Sequence, residues 1–164
     1  MKLLIKQKLF SWLDSFDIFD EDGNTVYTVK GEDDFHICLH IYDTSGQEVG
    51  TIVERFLHFP EFEFDVYVNS AYVGRIKREP TLFRTKFDID YNGWGTKGNL
   101  LRWEYTVSDG NREIAAVSKE KWKNTDAYAV NVHNKSDVLS IIMLVLAIDA
   151  DQRFRASIDF TDFI

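Results

Sequence analysis

Val138-Leu-Ser-Ile-Ile-Met-Leu-Val-Leu-Ala-Ile148 is the most apolar stretch of the chain, broken only by Ser140. Its spacing suits a helix. Asn134 or Ser136 can cap the start, and Asp137 falls favourably in the first turn. The apolar residues occupy every face of that helix, so it must be buried on every side. These eleven residues would rise about 16 Å. That is roughly half of the ~30 Å hydrocarbon core of a bilayer, so the stretch is not a membrane span. Packed on an open sheet, the helix would keep half its surface wet. The economical arrangement is a sheet closed into a barrel with the helix running through its lumen. Eight strands leave room only for side chains, so this barrel needs more of them.

The rest of the chain supplies the strands. Phe62, Phe64, Val66 and Val68 alternate with Glu63, Asp65 and Tyr67. Phe87, Ile89 and Tyr91 alternate with Lys86, Asp88 and Asp90, and Leu101, Trp103, Tyr105 and Val107 with Arg102, Glu104 and Thr106. Each run has one oily and one wet face, as in antiparallel strands that cover a core on one side. Less regular strand candidates lie near 3–10, 15–19, 25–29, 35–42, 47–55, 71–78, 112–118 and 127–132, for about a dozen in all. Hairpin signals recur at Asp20-Glu-Asp-Gly23, Asp43-Thr-Ser-Gly46, Asn92-Gly93 and Asp109-Gly110. Ile18–Val26 and Ile41–Val49 match at an offset of 23 residues and read as two similar hairpins. After the helix, Phe154, Ala156, Ile158 and Phe160 alternate with Arg153 and Arg155 in a strand-like tail.

Composition sets the outer bounds. The chain has 164 residues, 45% hydrophobic and 28% charged, which fits a single domain over residues 1–164. Its 13 Phe, 7 Tyr and 4 Trp are suited to the large inner face of a barrel wrapped round a helix. A net charge of −8 has the wrong sign for a nucleic-acid binder. Lys2-Leu-Leu-Ile-Lys6 is too short an apolar run for a secretory signal, and the single cysteine, Cys38, fits a reducing compartment. The expected location is the cytoplasm, with any membrane contact peripheral and at the inner face.

Several segments resemble the LURP-one-related family of the tubby C-terminal-like superfamily, which also includes phospholipid scramblases. They are Lys8-Leu-Phe-Ser-Trp12, Phe16-Asp-Ile-Phe-Asp-Glu-Asp-Gly23 and Val26-Tyr-Thr-Val-Lys-Gly31, then Gly74-Arg-Ile-Lys77 and Phe87-Asp-Ile-Asp-Tyr-Asn-Gly-Trp94. Ile114-Ala-Ala-Val-Ser-Lys119 and Leu144-Val-Leu-Ala-Ile-Asp149 complete the set. The resemblance spans almost the whole chain and implies a closed barrel of twelve antiparallel strands around a central hydrophobic helix. Tubby relatives bind phosphoinositide headgroups, but no segment here matches a ligand site of the family residue by residue.

Three local patterns bear on chemistry. On a strand, His36, Cys38 and His40 share one face about 6–7 Å apart, and zinc takes these ligand types. That spacing is too wide for one tetrahedral ion without a bend. The competing reading puts Phe35, Ile37, Leu39 and Ile41 in the core and the histidines in water. The second pattern is a basic cluster, Arg75, Lys77, Arg78, Arg84 and Lys86, the densest positive patch in an acidic chain. A turn at Asn69-Ser-Ala71 would set Glu63 opposite Lys77 and Asp65 opposite Arg75, neutralising both in part. Arg78, Arg84 and Lys86 then remain for an anionic phospholipid headgroup. The third is Asp149 and Asp151 at the helix end, where they oppose the macrodipole and Arg153 and Arg155 compensate.

No nucleophile elbow, phosphate loop or dinucleotide fingerprint is present, so neither an enzyme nor a cofactor is expected. The expected function is non-enzymatic binding of phospholipid headgroups or an anionic membrane surface. The alternative is a module that binds a small molecule or a protein partner.

Overall fold

The computed structural model describes residues 1–6, 15–33, 36–55, 62–79 and 85–161, and for residues 33 and 154–161 the backbone alone. Among these residues the first six strands are β1 (Lys2–Lys6), β2 (Phe16–Asp20), β3 (Thr25–Asp33), β4 (Ile37–Tyr42), β5 (Glu48–Arg55) and β6 (Glu63–Val68). Next come β7 (Ala71–Glu79), β8 (Lys86–Ile89), β9 (Trp94–Asn99), β10 (Glu104–Asp109), β11 (Arg112–Trp122) and β12 (Thr125–Val132). Each strand pairs antiparallel with its neighbours in the chain, and β1 pairs with β12 to close the barrel. At that seam the Met1 ammonium donates to the Val132 carbonyl at 2.7 Å, and the Val132 N–H donates to the Met1 carbonyl at 2.8 Å. Closure leaves the sheet with no edge strand.

The helix α1 (Val138–Thr161) follows a short 3-10 turn, Lys135–Asp137, capped by the Asn134 side chain accepting from the Ser136 N–H. Ile141 through Ile148 are all buried, as the all-round apolar pattern requires. Ser140, the polar break in that run, accepts a hydrogen bond from the Tyr91 hydroxyl at 3.2 Å. The helix comes closest to the wall at Gly50 of β5. A Cβ there would lie 3.1 Å from Leu139 Cδ1 and 3.2 Å from Met143 Sδ. Among the described residues the buried rings (Phe62, Phe64, Phe87, Trp94, Trp103, Tyr105 and Tyr128) come from Phe62 onwards, whereas β1 to β5 line the core with Leu3, Ile18, Val29, Leu39, Ile41 and Ile52.

The two similar hairpins are real. Gly23 and Gly46 both take positive φ, and each β-bulge falls at the matching step, Ile18/Phe19 and Ile41/Tyr42. Asp20 and Asp43 cap their turns in the same way, each carboxylate accepting from the backbone N–H four residues on. The expected pairs Glu63–Lys77, Phe64–Ile76, Asp65–Arg75 and Val66–Gly74 are also present. The turn behind them differs. It has two residues, Asn69 and Ser70, both at positive φ, and a bulge between Val66 and Tyr67 restores the register.

Two expectations are corrected. Leu101–Trp103 do not begin a strand. They form the turn between β9 and β10, with Trp103 at φ 57°, and the strand before them is Trp94–Asn99. Two glycines and a lysine in Trp94-Gly-Thr-Lys-Gly-Asn99 hide its alternation. The tail after the helix is not strand-like either, because α1 continues to Thr161. Asp149 and Asp151 thus lie inside the helix and not at its end.

Gly74 shows how closely this wall is packed. Its φ is 153°, and a Cβ would collide with the Asp90 carboxylate and come within 2.8 Å of Tyr91 Cδ1. That carboxylate accepts from the Arg75 N–H at 2.7 Å. Gly74→Ala combines backbone strain with overpacking and is expected to remove about 2–3 kcal/mol of stability. Urea unfolding of the two proteins checks this, and a loss below about 0.5 kcal/mol would contradict the placement of Asp90.

Candidate functional site

Strand alternation sorts the basic cluster. On β7, Gly74 and Ile76 face the core, so Arg75 and Lys77 face outwards and Arg78 faces inwards. Arg75 pairs with Asp65 (Nε to Oδ1, 3.1 Å) and lies 3.7 Å from Glu63, as the register predicts. Lys77 sits between Glu63 on β6 and Asp88 on β8, and exposed Lys86 stands opposite Glu79. Arg84 lies outside the described residues. Burial and the nearby Glu79 carboxylate raise the pKa of Asp88.

Arg78 is the correction. The expectation that it keeps no partner fails, since its Nη1 lies 3.4 Å from Asp151 Oδ1 inside the barrel mouth and its Cζ is 5.8 Å from the Phe62 ring. Its even-numbered place after Gly74 and Ile76 was the sequence signal for this. Burial pushes the Asp151 carboxyl up to about 6, with Glu54 adding to the rise and Arg78 opposing it. Two residues earlier, burial raises Asp149 while Arg153 opposes it through an i,i+4 pair at 2.9 Å. Compensation by Arg153 is therefore as expected. The adjacent Gln152 donates to the Leu100 carbonyl at 2.8 Å. Asp151 and Gln152 so place the end of β7 and the β9–β10 turn on one rim of the barrel. On that turn Leu101 is 81% exposed and is followed by exposed Arg102. Sequence reading placed Leu101 on an oily strand face and missed this feature.

The second group lies on the outer wall of β3 to β5. Ile37, Leu39 and Ile41 face the core, so Cys38 and His40 point outwards. Cys38 Sγ is 3.4 Å from His40 Nε2, and Glu32 Oε1 on β3 is 3.0 Å from the same nitrogen. His40 Nδ1 is 2.8 Å from Glu48 Oε1, which also accepts from the Thr51 hydroxyl. These two donors hold the Glu48 carboxyl below its usual range. Cys38, His40 and Glu32 each direct one ligand-type atom into a group that spans at most 4.8 Å. His36 is not in that group. Glu32 was missed because Gly31 masks the continuation of β3, which runs to Asp33 and brings Glu32 opposite Cys38.

A model of the LURP-one-related family matches residues 1–149. The chain belongs to that family. It is 28% identical over 152 residues to "Uncharacterized protein YxjI" of Bacillus subtilis (strain 168), covering 91% of this chain and 92% of that protein. An Arabidopsis thaliana protein of known X-ray structure has the same fold, with a TM-score of 0.61, 20% identity, and coverage of 92% of this chain and 90% of its own. The LURP-one-related match ends at Asp149, so it takes in all twelve strands and the buried apolar run Ile141 through Ile148 of α1. Among the described residues no helix is long and apolar enough to cross a membrane.

Proposed function

We propose that the protein is a non-enzymatic binding protein that docks peripherally on anionic phospholipid headgroups through the rim formed by β7, β8 and the β9–β10 turn. The observation that carries this reading is Leu101, 81% exposed, with Arg102 beside it on a rim that also bears Lys77 and Lys86. Burying a leucine contributes roughly 1.5–3 kcal/mol, and each basic residue near an anionic surface adds about 1 kcal/mol. With a net charge of −8 the molecule as a whole is repelled by such a surface, so contact must come from a local patch and must weaken with salt. The packing of the helix inside the barrel supports binding on the outer surface over binding within the lumen.

Co-sedimentation with vesicles of phosphatidylcholine, alone or mixed with phosphatidylserine, tests the proposal. Bound protein is expected to rise with phosphatidylserine and fall with added salt. Lys86→Glu and Arg102→Glu are each expected to lower the partition coefficient about fivefold or more, and Leu101→Ser by a similar factor. No binding at low salt, or equal binding to both kinds of vesicle, would refute it.

A further inference from the structure

The geometry points to a zinc-type metal site on the outer wall of the barrel, with Glu32, Cys38 and His40 as ligands and Glu48 as the group that orients His40. A divalent zinc ion binds Cys sulfur at about 2.3 Å and His nitrogen or carboxylate oxygen at about 2.0–2.2 Å. In a tetrahedron those lengths require ligand–ligand edges of roughly 3.3–3.6 Å. The Cys38 Sγ to His40 Nε2 edge is 3.4 Å and the His40 Nε2 to Glu32 Oε1 edge is 3.0 Å. Two of the three edges are thus already near the bound geometry, and the remaining one lies within the group's 4.8 Å span. A rotation of the Glu32 side chain, which is 56% exposed, can close it.

The surroundings of His40 also suit an ion. Glu48 accepts from Thr51 and lies 2.8 Å from Nδ1, while Glu32 lies 3.0 Å from Nε2, so the ring has a carboxylate at each nitrogen. A proton or a metal ion fits between Nε2 and Glu32, and Cys38 Sγ, 3.4 Å from Nε2, gives that point a third donor atom. A carboxylate on the far nitrogen of a ligating histidine is also the common way in which such a ligand is oriented and made more basic. Cys38, only 7% exposed, supplies the soft ligand that selects zinc over magnesium or calcium. Three protein ligands leave one position of the tetrahedron open on the solvent side, where Glu32 forms the lip.

This differs from the His36-Cys38-His40 triplet that lies along one strand. Cross-strand pairing brings Glu32 directly opposite Cys38, which spacing along a single strand cannot do. The site uses β3 and β4 and shares no residue with the patch proposed for headgroups, so the two proposals stand or fall separately.

The test uses the full chain, reduced, stripped by a chelator and titrated with zinc, with cobalt(II) as a coloured substitute. One equivalent of zinc per chain is expected, together with protection of Cys38 from alkylation and a thiolate-to-cobalt absorption band. Cys38→Ser should abolish that band. His40→Gln and Glu32→Gln should each weaken binding at least tenfold, and Glu48→Gln should weaken it about 10–100-fold without changing the stoichiometry. Because Glu32 is at the surface, its variant keeps the test valid should a Cys38 or His40 variant fail to fold. His36→Gln should leave binding unchanged. No stoichiometric zinc would overturn the proposal, leaving a proton shared between Glu32, His40 and Glu48. Binding that survives both Cys38→Ser and Glu32→Gln, or is lost in His36→Gln, would also overturn it.

Discussion

Arg78→Met is expected to destabilise the protein by about 3–5 kcal/mol at neutral pH, because it removes the cation facing a buried carboxylate. Asp151 is 1% exposed, and the Arg78 guanidinium lies 3.4 Å from it. Methionine keeps much of the aliphatic volume against Phe62, so the loss reports on charge more than on packing. The pH dependence has a definite sign. Asp151 titrates near 6 in the folded protein and near 3.9 in an unfolded chain. Between those values the folded state holds more protons, so this group's contribution to stability declines as pH rises from about 4 to about 6. Without Arg78 the folded pKa moves higher still, and the decline continues past 6. The variant's deficit should therefore be smallest near pH 4, where Asp151 is protonated in both folded proteins, and should grow above pH 6. Urea unfolding across that range measures it. An equal deficit at every pH, or one below about 1 kcal/mol at pH 7, would contradict the buried pair. A headgroup ligand at Arg78 predicts the opposite pattern, lost binding with stability unchanged.

Ile142→Ala is the second large effect, expected to cost about 3–5 kcal/mol. Ile142 is 0% exposed within the buried part of α1. Removing its outer carbons forfeits their transfer free energy and leaves a cavity whose cost depends on how far the surroundings relax. A closed barrel relaxes little, since no strand can move inwards without breaking a ladder on either side. That places the change in the upper part of the usual range. The matching control is Leu101→Ala, which should shift stability by no more than about 0.5 kcal/mol. Thermal or urea unfolding of both variants decides the matter. A loss near 1 kcal/mol for Ile142→Ala would mean that the helix is not enclosed on all sides.

Some of the candidate sites were legible before the structure. The Arg75–Asp65 pair followed from the register of one hairpin, because pairing across a short turn is a local property. The inward position of Arg78 was legible too, through strict alternation after Gly74 and Ile76, yet its partner was not. Asp151 lies 73 residues further along the chain, and the strand-like alternation of Phe154, Ala156, Ile158 and Phe160 concealed the length of α1. For the same kind of reason the His36-Cys38-His40 pattern showed two of the three residues whose ligand-type atoms the structure groups together. Local spacing cannot reveal that Glu32 stands across the ladder when Gly31 interrupts the strand that carries it.

The sequence by itself determined the architecture. A helix apolar on every face can be stable only when enclosed, and strands with one oily face, each turning back on its neighbour, are what enclose it. Those requirements are local or follow from burial alone, so composition and periodicity express them. The tertiary structure decided which charges face each other: Arg78 and Asp151 across the barrel mouth, Glu32 beside Cys38 and His40 on the wall, Leu101 exposed at the rim. Charge interactions act between side chains a few ångströms apart whatever their separation along the chain, and only the closed barrel sets those distances.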